Sequence, residues 1–395
     1  MRSQASPGFP RYVLWQPSML RRFARDRSRD CVVMTEDQRQ HPVVQALHRR
    51  RAERSQPGER RDRRRIALVI EGGGMRGVVS AGMAAAIEQL GLTDCFDEVH
   101  GASAGAFNAA FLLAGQAAYL TALYAHGFGD PRFASPWRVL RGGPLLDMDY
   151  VIDQVWRTQR PLRVQQILAR GIELHCTATD VASGEPCDLT SLTDGEEIRC
   201  ALRASTRLPW LAGPPVPFRG RRWLDATLAE AIPVGAAQRS ASDLLVLQTR
   251  PHGVRHAPFS RPVAALTDRY LERINPALVE LRRSRSERYD RLVEELAARA
   301  ADPSSSPAVC VIRPPAGTPM ITHLEHRADA LAAAGAHGFR AAWMALEGED
   351  PELLSVPRAY PRRTWPERSP SAGGARVVAG SPPGDGAPWV PERGP

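Results

Sequence analysis

The stretch that decides the fold covers residues 66–105 and reads IALVIEGGGMRGVVSAGMAAAIEQLGLTDCFDEVHGASAG. It begins with five consecutive apolar residues, which is typical of a strand buried on both faces of a parallel sheet. A glycine-rich loop, an alanine-rich helical segment and a second short strand at 96–100 follow. Strands that alternate with helices, here and further along the chain, predict an α/β/α sandwich with a mostly parallel sheet.

The pentad that ends this stretch, residues 101–105, has the form G-x-S-x-G of a nucleophile elbow. A serine held at a strained strand-to-helix turn leaves no room for side chains two residues away, which explains Gly101 and Gly105. The helix after Ser103 directs its N-terminal N–H groups towards charge that develops near the serine. Ser103 is therefore the candidate nucleophile, and at its ordinary pKa it needs a base.

The loop that follows the first strand, residues 72–77, reads GGGMRG. A run of exposed backbone N–H groups there predicts an oxyanion hole formed by Gly73, Gly74, Met75 and Arg76. The Arg76 guanidinium is expected either to pair with an acid and brace the loop or to meet an anionic headgroup.

The order of strand, G-G-G-x-R-G, helix, strand and G-x-S-x-G resembles the patatin-like phospholipase family over about residues 66–348. The resemblance continues at residues 223–226, WLDA, where that family carries its catalytic aspartate. It implies a three-layer α/β/α fold, a Ser–Asp dyad of Ser103 and Asp225 without histidine, and no cofactor. Where the family has glycine after the aspartate, this chain has Ala226. A positive φ at that position would strain an alanine by about 1 kcal/mol.

Three alternatives stay open at this point. The loop also fits the dinucleotide fingerprint G-x-G-x-x-G, but the acid expected at the end of the second strand lies at its beginning. An α/β-hydrolase triad would recruit His323 or His326 as a late base, although that fold places more strands before its elbow. The third is an inactive hydrolase relative that binds lipid or a protein partner, which only Ala226 favours.

Charge and composition, together with the resemblance, predict three regions. Residues 1–64 form a basic, largely disordered arm with a helix at 41–54, residues 65–348 the acyl hydrolase domain, and residues 349–395 a Pro/Gly-rich disordered tail. Met34 is an alternative start. The net charge is +9, every basic residue is arginine, and 17 arginines against 7 acids fall in residues 1–65. The arm is therefore a candidate for contact with anionic membranes. The loop at 127–144 is expected to be either a lid or a surface connection.

The remaining features narrow the class of protein. The six cysteines lack any C-x-x-C spacing, which favours reduced thiols. We find no secretory signal and no run of 18 apolar residues, so a cytoplasmic protein with peripheral membrane contact is expected. The expected partner is a lipid ester substrate. No nucleic-acid motif and no metal-ligand cluster stands out, and His100 and His175 are predicted to be packed, hydrogen-bonded residues.

Overall fold

A computed structural model of the chain describes residues 39–126, 133, 135, 137–138, 141, 143–159, 161–254, 261–302 and 304–351. Within these ranges one central sheet contains eight strands. In chain order they are β1 (Ile66–Ile70), β2 (Glu98–Ala102), β3 (Glu173–Asp180), β4 (Pro186–Leu189), β5 (Val216–Phe218), β6 (Arg221–Asp225), β7 (Asp243–Leu247) and β8 (Ala308–Ile312).

The strand order across the sheet is β5-β6-β3-β2-β1-β7-β8, and β4 pairs with β3 beside this path. From β3 to β8 every neighbouring pair is parallel, whereas β4 and β6 run antiparallel to β3, and β5 runs antiparallel to β6. All five residues of β1 are fully buried. A strand without a polar face can only lie inside a sheet that is covered on both sides.

The helices fill the connections between the strands. In chain order they are α1 (Pro42–Ala52), α2 (Gly77–Gln89), α3 (Ala104–Leu113), α4 (Ala117–His126), a π-helix (Tyr150–Gln159), α5 (Val164–Ala169), α6 (Gly195–Ser205), α7 (Val234–Ser240), α8 (Arg261–Ile274), α9 (Ala277–Arg283), α10 (Arg285–Ala301) and α11 (Ala328–Glu347). Short 3₁₀ turns occur at Gly74–Arg76, Thr93–Cys95 and Ala226–Leu228.

The two faces of the sheet bury two separate apolar clusters. Ile66, Leu68 and Ile70 of β1 contribute to the cluster that includes α2, α3 and α11. Ala67 and Val69, on the opposite face, contribute to the cluster that includes α7 and α10. This arrangement confirms the predicted three-layer α/β/α sandwich with a mostly parallel sheet. None of the described helices combines the length and the apolar character needed to cross a bilayer.

The segment before β1 differs from the expected free arm. Val43, Val44 and Leu47 of α1 are fully buried in the core of the domain. Arg50 is also fully buried and donates to Asp62 and Asp97 at 2.8 Å each. The helix predicted at 41–54 is therefore present at Pro42–Ala52 and packs against the domain, and Asp62 in the segment after it is hydrogen-bonded to Arg50 of this helix. The rest of the arm, most of the 127–144 loop and the tail after residue 351 lie outside the described residues, so their assignments stay predictions.

Candidate active site

Ser103 occupies the single position between the end of β2 and the start of α3. Its backbone has φ 53° and ψ −121°, which is a strained conformation for a residue other than glycine. The Ser103 N–H donates to Ser205 Oγ at 2.9 Å, and this bond fixes the turn from the side of α6. The sharp turn brings the serine hydroxyl to the carboxyl end of a parallel strand, where active sites of α/β sheets form.

The glycines on either side of Ser103 have a steric explanation. A Cβ atom at Gly101 would overlap the backbone of Ala106, and one at Gly105 would overlap the carbonyl oxygen of Ile70 at the end of β1. Only hydrogen atoms fit at both positions, so the elbow closes tightly between β1 and α3. This is the close approach that the G-x-S-x-G pattern predicts.

Asp225 ends β6 and lies directly beside the serine. Ser103 Oγ donates to Asp225 Oδ2 at 2.8 Å. The other carboxylate oxygen, Oδ1, accepts from the Thr227 N–H at 2.8 Å and from Thr227 Oγ1 at 2.6 Å. Asp225 is fully buried and Ser103 is 5% exposed. The carboxylate is thus held with one oxygen bound to Thr227 and the other directed at the nucleophile.

Burial raises the pKa of the Asp225 carboxyl group, because a buried carboxylate loses its hydration. The hydrogen bonds from Thr227 and Ser103 and the positive charge of Arg285 act in the opposite direction. The carboxyl group is therefore more basic than that of an exposed aspartate, while its hydrogen-bond donors favour the ionised form. A base whose pKa is shifted towards the working pH is better suited to accept the serine proton.

Ala226, the departure from the family pattern, is fully buried at the start of a 3₁₀ turn. Five described residues other than glycine have positive φ, namely Arg54, Ser103, Ser191, Trp210 and Arg219. Ala226 is not among them, so the strain considered for this position does not arise. A glycine is not required there, and the local geometry gives no support to an inactive site.

The glycine loop lies against the elbow, since a Cβ atom at Gly72 would overlap the carbonyl oxygen of Ala102. Of the four N–H groups predicted to form the oxyanion hole, two are already engaged: that of Met75 donates to the His323 carbonyl at 3.0 Å, and that of Arg76 to the Gly73 carbonyl at 3.2 Å. The predicted four-residue oxyanion hole is therefore corrected, because the N–H groups of Met75 and Arg76 donate to carbonyl groups within the fold. Gly73 and Gly74 remain the candidate donors.

The Arg76 side chain is 2% exposed and braces this loop from behind. Its Nε donates to Thr249 Oγ1 at 2.9 Å, and its Nη2 lies 3.6 Å from Glu71 Oε1. Glu71 in turn accepts from the Thr249 N–H at 2.5 Å and from the Tyr289 hydroxyl at 3.0 Å. Of the two roles considered for Arg76, the geometry agrees with pairing to an acid.

His323 supports the same loop, a role that the sequence did not suggest. Its Nδ1 lies 2.9 Å from the Gly73 carbonyl oxygen, and its Nε2 lies 3.3 Å from Arg76 Nη1. Burial, together with the charges of Arg76 and two further arginines, lowers the pKa of His323 to about 2. A neutral imidazole then donates from Nδ1 to Gly73 and accepts from Arg76. His326 is exposed, so neither histidine is arranged as a base for Ser103.

A second cluster of ionisable side chains lies away from the dyad. Among the described residues, Glu98, His100 and His175 form a buried group whose ligand atoms lie within 4.8 Å of one another. No metal-ligand cluster was predicted from the sequence. The overlooked signal is the tripeptide E-x-H, which occurs at residues 98–100 and again at 173–175. The two tripeptides indicate a shared cluster only once the pairing of β2 with β3 is known.

Part of the chain is similar to known proteins. The family model of patatin-like phospholipases matches residues 68–237. The uncharacterized protein YjjU of Escherichia coli strain K12 is 30% identical over 201 residues, which are 49% of this chain and 54% of YjjU. The chain thus spans about half the length of that relative. The crystal structure of VipD from Legionella pneumophila is similar with a TM-score of 0.37 and 13% identity, over 73% of this chain and 67% of VipD. The resemblance to the patatin-like phospholipase family is therefore confirmed for residues 68–237, the part of the chain that holds the glycine loop, Ser103 and Asp225.

Proposed function

We propose that this protein is a serine acyl hydrolase that cleaves a carboxylic ester bond of a phospholipid or lysophospholipid. The observation that carries the proposal is the 2.8 Å hydrogen bond from Ser103 Oγ to the buried Asp225 carboxylate. The positive φ of Ser103 supports it, because strain of this kind persists where a side chain must be presented for chemistry. The match of residues 68–237 to the patatin-like phospholipase family supports a lipid substrate.

The proposed reaction has two steps. Ser103 Oγ attacks the ester carbonyl carbon while Asp225 takes its proton, and the carbonyl oxygen becomes an oxyanion. The intermediate collapses, the bond to the alcohol breaks, and Asp225 returns the proton to the leaving oxygen. Water, deprotonated by Asp225, then attacks the acyl-serine and releases the carboxylic acid and the free serine.

The oxyanion is stabilised by backbone dipoles in this mechanism. The N–H groups of Gly73 and Gly74 belong to a loop that touches the elbow, and α3 begins at Ala104 with its positive end towards Ser103. Donors fixed before the reaction are effective because they need no rearrangement as charge develops, and one such donor is worth about 100-fold or more in kcat. Arg76 and His323 are positioning residues that hold this loop.

Labelling with a fluorophosphonate tests the nucleophile. Ser103→Ala is expected to abolish both labelling and hydrolysis of a short-chain nitrophenyl ester, while the circular dichroism spectrum stays unchanged. Ser183→Ala, which removes an exposed hydroxyl, is the matched control and is expected to keep both. Equal labelling of Ser103→Ala and the unmodified chain would contradict the assignment.

A panel of phospholipids and lysophospholipids then tests the substrate class. Release of fatty acid by the unmodified chain, absent in Ser103→Ala, is expected for at least one member of the panel. A chain that binds vesicles but is neither labelled nor active on any ester would instead identify an inactive relative that binds lipid.

A further inference from the structure

Two short motifs of the same form, E-x-H, face each other at the start of neighbouring strands. Residues 98–100 of β2 read EVH and residues 173–175 of β3 read ELH. The parallel pairing puts Glu98 opposite Glu173 and His100 opposite His175. Because side chains alternate along a strand, all four project from the same face of the sheet. The register of two strands thus gathers two imidazoles and two carboxylates.

The distances within this cluster suit a single metal ion. His100 Nε2 lies 3.2 Å from Glu98 Oε1, and His175 Nε2 lies 3.3 Å from Glu173 Oε2. The two imidazole rings stack with their centroids 4.0 Å apart. Zn²⁺ holds nitrogen and oxygen ligands at about 2.0–2.2 Å, so ligand atoms 4.8 Å apart need to move by about 1 Å to share one ion.

His100 is a buried polar side chain without a well-formed hydrogen bond among the described residues. It is fully buried, and neither of its ring nitrogens forms a hydrogen bond of acceptable geometry with the described residues. Polar groups buried without a partner destabilise a fold. A bound ion that accepts the free electron pair of a ring nitrogen would remove this cost.

The surrounding residues orient the cluster as they do around metal-binding histidines. His175 Nδ1 lies 2.6 Å from Asp188 Oδ2 on β4, which directs Nε2 towards Glu173 and the cluster. Glu98 Oε1 accepts from Ser240 Oγ at 2.6 Å, and Glu98 Oε2 accepts from Arg65 Nε at 2.8 Å. The Glu173 side chain is 57% exposed, so it provides a path from solvent.

One contact of the cluster has to change as an ion binds. Arg65 Nη2, which donates to Glu173 Oε2 at 2.8 Å, competes for the same carboxylate.

We propose that Glu98, His100 and His175, with Glu173 as a fourth donor, bind one divalent transition-metal ion of the Zn²⁺ type. The ion would join β2, which ends directly before Ser103, to β3, whose Ala178 pairs with Asp225. It lies outside the dyad and takes no part in bond cleavage. Its role is to hold together the two strands that position the nucleophile and the base.

Metal binding to the full chain is the direct test. Chelator-treated protein is incubated with Zn²⁺ alone, desalted, and analysed by mass spectrometry for bound metal and by thermal unfolding. We expect one ion per chain and a Tm that rises with Zn²⁺ concentration. Co²⁺ in its place is expected to give visible absorption bands of a site with nitrogen and oxygen ligands, which Zn²⁺ abolishes.

Variants locate the ion. His175→Gln is expected to lose the Co²⁺ bands and the Zn²⁺-dependent rise in Tm, whereas His252→Gln, which changes an exposed histidine, keeps both. If His175→Gln does not fold, Glu173→Gln serves instead, because it alters an exposed carboxylate; we expect weaker Zn²⁺ binding at an unchanged metal-free Tm. Loss of all metal on desalting with no Tm shift, or unchanged binding in both cluster variants, would overturn the proposal.

Discussion

At the scale of single residues, the catalytic candidates occupy positions that are unfavourable in themselves. Ser103 has a positive φ, and Asp225 is a fully buried carboxylate. Each condition costs on the order of 1 kcal/mol or more. Neighbouring hydrogen bonds offset them, from Ser103 N–H to Ser205 Oγ and from Thr227 to Asp225 Oδ1. Small changes in these neighbours should therefore alter the chemistry without removing a reacting group.

Thr227 provides the first such change. Its hydroxyl donates to Asp225 Oδ1 at 2.6 Å and favours the ionised carboxylate. In Thr227→Val that donor is lost, so the pKa of Asp225 rises and the acid limb of kcat/KM moves to higher pH. A charge-assisted hydrogen bond of about 1.5 kcal/mol corresponds to a shift of about one pH unit. Thr227→Ser, which keeps a hydroxyl, is the control; identical pH profiles for the two variants would refute this account of the base.

The second change near the dyad concerns His323, with His326 as its comparison. His323→Ala removes the donor to the Gly73 carbonyl, so the loop should loosen and kcat should fall by about tenfold or more. His326→Ala, at an exposed position, should leave kcat unchanged. Steady-state kinetics on a soluble ester measures both. Because His323 has a pKa of about 2, its loss should not move the pH profile. Complete loss of activity in His323→Ala, as expected when the base is removed in Asp225→Asn, would instead indicate a histidine base.

At the scale of elements, α1 and the charged segment after it belong to the hydrolase domain. The guanidinium of Arg50 reaches Asp62 and Asp97, and Arg60 also donates to Asp97 at 2.7 Å. Asp97 further accepts from the Ile66 N–H at 2.7 Å. The start of β1 is thus attached to α1 through one carboxylate, which explains why a segment rich in arginine is ordered.

This attachment gives a stability prediction. Arg50→Met should lower the free energy of unfolding by about 3 kcal/mol, because Asp62 and Asp97 lose a buried cationic partner. Arg49→Met, one position earlier and exposed, should change it by about 0.5 kcal/mol or less. Urea unfolding measures both. Equal effects of the two substitutions would show that the buried network contributes little.

A close helix crossing shows the same dependence on small side chains as the elbow. A Cβ atom at Gly82 of α2 would overlap the carbonyl oxygen of Gly335 in α11, and one at Gly338 would overlap that of Val79. The two helices therefore touch backbone to backbone. This contact brings α11, the last helix of the domain, over the helix that follows the oxyanion loop.

At the scale of the whole molecule, positive charge is less available than the sequence suggests. Residues 39–65 carry ten arginines and three acids. Five of those arginines, Arg50, Arg51, Arg60, Arg64 and Arg65, form ion pairs with carboxylates. Residues 1–38 carry seven arginines and four acids. The charge that remains for an anionic membrane is therefore divided between the two segments.

Shortened chains test this division. A chain that begins at residue 39 should keep its Tm and its activity on a soluble ester, whereas one that begins at residue 64 should be destabilised because it lacks the buried residues of α1. The first should retain part of the salt-sensitive binding to anionic vesicles, since each arginine near such a surface contributes about 1 kcal/mol. Co-sedimentation at two ionic strengths measures it. If the full chain ignores anionic vesicles at low salt, its charge does not serve membrane contact.

Features that depend on consecutive residues could be predicted before the structure was known. The apolar run of β1, the elbow at 101–105 and the glycine loop are local patterns, since burial of a strand and the sterics of a turn act over a few positions. They were sufficient to predict the sandwich, the resemblance to patatin-like phospholipases and the identity of the candidate nucleophile.

The tertiary structure decided the features that join distant residues. Ser103 and Asp225 are 122 positions apart, and the contact between them follows from the pairing of β6 with β3. Three further contacts also join residues that are distant in the sequence. The Met75 N–H donates to the His323 carbonyl, Arg50 pairs with Asp97, and the two E-x-H motifs meet through the pairing of β2 with β3. Strand order and register bring such groups together. No local sequence pattern specifies the strand order or the register, because both depend on how the apolar surfaces of the whole chain are buried together.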